Sequence, residues 1–279
     1  MNIVNILEEI EKVDGEIYER LNPRRKAMKE FYNFGSKVAM ASVPLAIGSM
    51  FKKAYGQTVT PAVISILNFA LTLEYLEYHF YNHALLAAPG LLTPGTPAHG
   101  AITTIRDHEK AHVDLLAGAI RAAGGTPVSF EYAQFDYTGK GNFNSVYDNY
   151  VTFLAVAQAF EDTGVRAYKG QAGGLMGSPY LEVALNIHSV EARHASHIRQ
   201  MRKATAGGGV NIKPWITGAN DSGVAQVAAV YLGEDNVNQA NITITNINGQ
   251  NVPVSAATES FDEPLTRAAV EGIASLFIR

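Results

Sequence analysis

IRDHEKAHVDLL (residues 105–116) and IHSVEARHASHI (residues 187–198) are the stretches on which the reading of this chain turns. In each, apolar residues recur at helical spacing, and a Glu-x-x-His pair falls on the apolar stripe instead of opposite it. Glu109 and His112 sit among Ile102, Ile105, Leu116 and Ile120, while Glu191 and His194 sit among Leu181, Ala184 and Ile198. Two further helical stretches repeat the anomaly with a single acid. Glu74 interrupts the stripe Leu67, Leu71, Tyr78, Tyr81 and Leu85, and Glu161 interrupts Tyr150, Leu154, Ala157, Val165 and Tyr168. An unpaired carboxylate in a core costs several kcal/mol or takes up a proton, so four of them need a shared cause.

One Glu-x-x-His is common on helices, and a lone core Glu is often paired with an arginine or a backbone group. An internal repeat separates this chain from those cases. Glu74 is followed at +7 by Tyr81 and at +35 by Glu109; Glu161 is followed at +7 by Tyr168 and at +30 by Glu191. The i, i+3 spacing puts Glu and His on one helix face, where they can chelate a metal, and a single Glu from each of the other helices can bridge or cap a pair of ions. Two divalent cations, formally +4, balance four Glu at −4. Carboxylate oxygen with imidazole nitrogen suits iron, or alternatively manganese, better than a thiolate-seeking metal.

Several neighbours of these residues are also of interest. Glu77, at i+3 from Glu74, is an alternative or bridging ligand, but the second half has Gly164 at the equivalent place, so Glu74 is preferred. Tyr81 and Tyr168 could hydrogen-bond the ligand carboxylates, act as redox tyrosines, or be core residues with a polar tip. His188, one turn before Glu191, either supports a ligand or packs in the core. His108 and His197 point differently from the ligands and read as solvated or structural.

Helical segments are predicted at about 59–87, 99–123, 145–172 and 179–205. Pro and Gly cluster in the short first junction (Pro89, Gly90, Pro94, Gly95, Pro97) and the short last one (Gly173, Gly174, Gly177, Pro179), as antiparallel hairpins require. The middle junction, about Ala122 to Asn144, is long enough to cross the length of a bundle. The expected fold is therefore mainly α: a four-helix bundle of two hairpins joined by a long crossover, over residues 57–205. Residues 206–279 read as a small mixed appendage. Gly207–Gly209 is its linker, Ile242–Thr245 a strand, Asn248-Gly249 a hairpin turn, and about Thr266 to Phe277 a last helix.

The order Glu, Glu-x-x-His, Glu, Glu-x-x-His resembles the ferritin-like di-iron carboxylate superfamily. Within it, LNFALTLEYLE (residues 67–77) and VEARH (residues 190–194) are similar to bacterial and plant desiccation-related ferritin-like proteins, as are GEDN (233–236) and FDEPLT (261–266). The resemblance implies metal ligands at Glu74, Glu109, His112, Glu161, Glu191 and His194, and two iron ions. It implies a particular reaction much less firmly.

Residues 1–56 are not covered by the bundle pattern. Residues 2–21 carry an amphipathic helical stripe, and Arg24-Arg25 precedes a weakly apolar stretch, Phe31 to Phe51. This is either a twin-arginine-like export signal to the periplasm or envelope, which the resemblance favours, or an uncleaved helical extension of a cytoplasmic protein. Such an extension could link subunits into a homo-oligomer or associate with a membrane. The net charge of −4 disfavours nucleic acid as a partner, and the lack of Cys excludes disulfides and thiolate sites. The expected chemistry is ferroxidase- or oxidase-like, with dioxygen or peroxide, in a possible stress-protective role. The alternative is a structural or self-assembling protein that uses the bundle as a scaffold.

Overall fold

Thr60-Pro61 and Thr96-Pro97 start the first two helices in the same way. Each Thr accepts a hydrogen bond from the backbone three residues on, and each Pro occupies the first helical position, where its missing N–H costs nothing. The computed structural model describes residues 59–88, 90–205, 211–219 and 222–279. The expectations for residues 1–56 and for the Gly207–Gly209 linker lie outside the described residues.

Four long helices follow in order: α1 (Pro61–Leu86), α2 (Pro97–Ala122), α3 (Tyr150–Ala172) and α4 (Tyr180–Lys203). α1 packs along α2 and α3 along α4, giving two antiparallel hairpins. The third helix begins five residues later than its periodicity suggests, because Asn149 caps it by accepting from the Thr152 amide. No described helix is long and apolar enough to cross a membrane.

The crossover from Ala123 to Asn149 is held by aromatic residues. Tyr137 donates from its hydroxyl to the Leu76 carbonyl at 2.8 Å, and Phe80 stacks on Phe153 at 4.9 Å, tying α1 to α3 beneath it. The chain terminus reinforces the crossover. Asp136 N donates to Phe277 O at 2.7 Å, and Arg279 N donates to Gln134 O at 3.0 Å.

Every residue of α3 from Phe153 to Tyr168 is buried, including the polar Gln158, Asp162 and Arg166. A helix buried all round needs a cover on its outer face, and the C-terminal segment supplies it. This segment carries two short hairpins, β1 (Asn238–Gln239) with β2 (Ile242–Thr243) and β3 (Asn246–Ile247) with β4 (Gln250–Asn251). The predicted Asn248-Gly249 turn is present, with both residues at positive φ; an Ala240-Asn241 turn of the same kind makes the other hairpin. Two short helices complete the segment, α5 (Val254–Thr258) and α6 (Arg267–Ala274).

Polar contacts fix the cover in place. Arg166 donates to the carbonyls of Glu263, Val230 and Leu232 and pairs with Glu234 at 2.8 Å. Asp162 pairs with Arg199 and accepts from the Tyr231 hydroxyl at 2.8 Å. At Gly170 the backbone of Leu265 comes so close that a Cβ would collide with its carbonyl oxygen.

This close approach reverses the usual effect of a helix substitution. Gly→Ala inside a helix normally stabilises by about 1 kcal/mol. Gly170→Ala should instead destabilise, by about 1–3 kcal/mol of overpacking. Thermal unfolding followed by circular dichroism checks this, with a lowered Tm expected.

Candidate metal centre

The periodicity that puts acids on the inner stripes brings all of them to one place. Glu74, Glu109, Glu161 and Glu191 are fully buried, and His112 and His194 are nearly so. Their ligand atoms form two groups, each drawn together within 4.8 Å: Glu74, Glu109, His112 and Glu191 in one, and Glu109, Glu161, Glu191 and His194 in the other. Glu109 and Glu191 belong to both.

The oxygens divide between the two groups. His112 Nδ1 lies 3.1 Å from Glu74 Oε2 and Glu109 Oε2, and 3.2 Å from Glu191 Oε1. His194 Nδ1 lies 2.8 Å from Glu109 Oε1, 3.4 Å from Glu161 Oε2 and 3.9 Å from Glu191 Oε2. Glu109 and Glu191 thus give one oxygen to each side, the disposition of bridging carboxylates, while Glu74 and Glu161 each serve one side. The spacing in the sequence left open whether the single acids bridge or cap; here they are placed to cap.

The two tyrosines of the repeat cross between hairpins. Tyr81 on α1 donates to Glu161 Oε1 on α3 at 2.5 Å, and Tyr168 on α3 donates to Glu74 Oε1 on α1. Burial, followed by the charge of the facing acid, pushes both phenols well above their ordinary range, so they remain protonated donors. Each hydroxyl occupies one oxygen of a capping acid and leaves the other directed inward.

Charge is poorly balanced in this cluster. Burial raises the Glu74 carboxyl to about 7 even though His112 pulls it back. Glu191 is pushed well above the carboxylate range by burial and by Glu109. Burial also works against the Glu109 carboxylate, yet His112 and His194 hold it well below that range. For His194, burial would lower the imidazole, but Glu161 and Glu109 more than reverse this, to about 11. Glu109 Oε1, Glu161 Oε2, both oxygens of Glu191, and His194 Nδ1 have no hydrogen-bond partner. These atoms meet one another as ion pairs without well-aligned hydrogen bonds, His194 Nδ1 and Glu109 Oε1 being 2.8 Å apart, and a shared cation satisfies such a set better, so the donors fit divalent ions.

The remaining histidines divide. His188 Nδ1 meets the Val165 carbonyl at 3.0 Å, which is a packing role. His108 departs from the expected solvated or structural reading: its Nδ1 lies 2.9 Å from His194 Nε2, behind the nitrogen that faces the acids. His108, His194, His197 and Arg193 contribute to a groove of about 850 Å³ between α2 and α4, otherwise mostly apolar. The groove reaches His194 from outside and was not foreseen. Glu77, set aside in favour of Glu74, is itself only 3% exposed.

A family model described as a ferritin-like domain matches residues 62–204. No curated protein and no solved structure matches the chain.

Cation binding here has to displace protons, because His194 in the free site holds one up to about 11. At pH 7 uptake should therefore release protons, and raising the pH should weaken their competition. With one proton displaced per ion, apparent affinity should rise about tenfold per pH unit. Titration with Mn²⁺ in weakly buffered indicator dye, and again at pH 6 and pH 7, measures both effects.

Proposed function

Because the chain belongs to the ferritin-like domain family, we propose that the buried cluster holds two iron ions, or two manganese ions in their place, for oxidase- or ferroxidase-like chemistry with dioxygen or peroxide. The observation that carries this reading is the convergence of four buried glutamates and two histidines in two ligand groups that share Glu109 and Glu191. Their chemistry, carboxylate oxygen and imidazole nitrogen without thiolate, favours those metals. When bound, such a pair of ions supplies or accepts electrons at the centre of the bundle.

The chain's own residues account for the rest. Glu109 and Glu191 hold the two positions in register, since each offers one oxygen to either side. Glu74 and Glu161 cap the ends, oriented by Tyr168 and Tyr81. By holding one oxygen of each capping acid, Tyr168 and Tyr81 would limit how far Glu74 and Glu161 could reorient about bound ions. The apolar lining around the cluster excludes bulk water and strengthens every charge interaction within it. The groove between α2 and α4 offers a small oxidant or substrate a route to the His194 side.

Reconstitution with Fe²⁺ under anaerobic conditions should give about two ions per chain by elemental analysis, followed by oxygen consumption on exposure to air. Tyr81→Phe should keep the fold and lose roughly 10–100-fold in metal affinity or turnover, the usual cost of removing a group that orients a ligand. A wild-type protein that retains neither iron nor manganese after reconstitution would contradict the reading.

A further inference from the structure

The two halves of the site repeat their single acid, their tyrosine and their Glu-x-x-His pair, but differ at a position beside the acids. Glu74 and Tyr81 correspond to Glu161 and Tyr168, but three residues after Glu74 stands Glu77, and three residues after Glu161 stands Gly164. Glu77 is buried and makes no hydrogen bond or ion pair among the described residues. A Cβ placed on Gly164 would lie 3.3 Å from Glu77 Oε1 and 3.3 Å from Glu191 Oε2. The missing side chain of one half therefore leaves the space that the extra acid of the other half enters. A real side chain at 164 would press on both carboxylates at once.

The placement is one-sided. Gly164 lies one turn from Glu161 on α3, and the Glu191 oxygen that it faces together with Glu77, Oε2, is the one on the His194 side. Glu77 and Gly164 both line a cavity of about 10 Å³, with Thr163, Phe160 and Ile273 also among its walls. That is about the room of one water molecule, enough for the carboxylate to change its tilt.

We propose that Glu77 is a seventh protein ligand, given to the position formed by Glu161 and His194 and not to that formed by Glu74 and His112. The two metal positions are then unequal: one is capped by two acids and the other by one. The doubly capped position takes up a divalent ion first and holds it more tightly, while the other retains more open coordination for an exogenous ligand. This inference rests on the metal reading above and concerns only how the two positions differ.

The test is titration of the full-length, metal-free protein with Mn²⁺ alone, following free Mn²⁺ by its electron paramagnetic resonance signal. Wild type should bind two ions in steps whose dissociation constants differ at least tenfold. Glu77→Gln should weaken the tighter step at least tenfold and leave the weaker one within twofold. Gly164→Ala should act in the same direction, by crowding Glu77, while His112→Ala should remove the weaker step and spare the tighter one. Glu77→Gln should leave the Tm of the metal-free protein at least as high as that of wild type, because the amide keeps the size and shape of the buried carboxyl. A variant damaged in its fold would instead lose both affinity and Tm. If the Glu77→Gln isotherm matches wild type within twofold, the seventh-ligand assignment is overturned while the metal centre stands. If wild type binds no Mn²⁺ or Fe²⁺ at all, both fall.

Discussion

Buried negative charge organises this protein. Glu74, Glu77, Glu109, Glu161 and Glu191 come from all four helices and meet at a point where water cannot solvate them. In a low-dielectric core, like charges at such separations repel strongly and each pays for desolvation as well. Two histidines relieve part of this, and two tyrosines satisfy one oxygen each on the capping acids. What is left over, a set of carboxylate oxygens and imidazole nitrogen drawn together, matches small cations in donor type.

Much of the remaining structure serves to keep that cluster in place. Four carboxylates can converge only if their helices are held against their own repulsion, and the apolar packing above and below the cluster provides the opposing force. The crossover locks α1 to α3 through Tyr137 and Phe80, close to the turn that carries Glu74 and Glu77. On the other side, the C-terminal segment closes over α3. Its contacts with Asp162 and Arg166 are one residue and five residues from Glu161, so the cover and the buried acid cluster share a helix and steady it from both faces.

The bundle and the convergence of the six acids and histidines were legible because they depend on helical periodicity and short-range spacing. Tyr81 and Tyr168 could be singled out from the repeat, since a side chain seven residues from an acid lies two turns away on the same face. Other features depend on contacts between distant parts of the chain. Gln158, Asp162 and Arg166 look like the polar face of an amphipathic helix until residues beyond 220 cover them. Whether Glu109 or Glu74 bridges depends on the rotation of each helix about its axis, which spacing within one helix does not set. His108 is a neighbour of His194 only because α2 and α4 lie side by side. Glu77 was set against Gly164 as an argument from symmetry, and the structure gives that same asymmetry a spatial meaning.

The central claim is that Glu109 and Glu191 each join two cation positions. Crystals of the protein loaded with manganese, with anomalous scattering recorded at the manganese edge, test it most directly. The account predicts two peaks per chain, one beside His112 Nδ1 and Glu74 and the other beside His194 Nδ1 and Glu161, with Glu109 and Glu191 between them. A single peak, or scattering only at surface sites away from these residues, would contradict it.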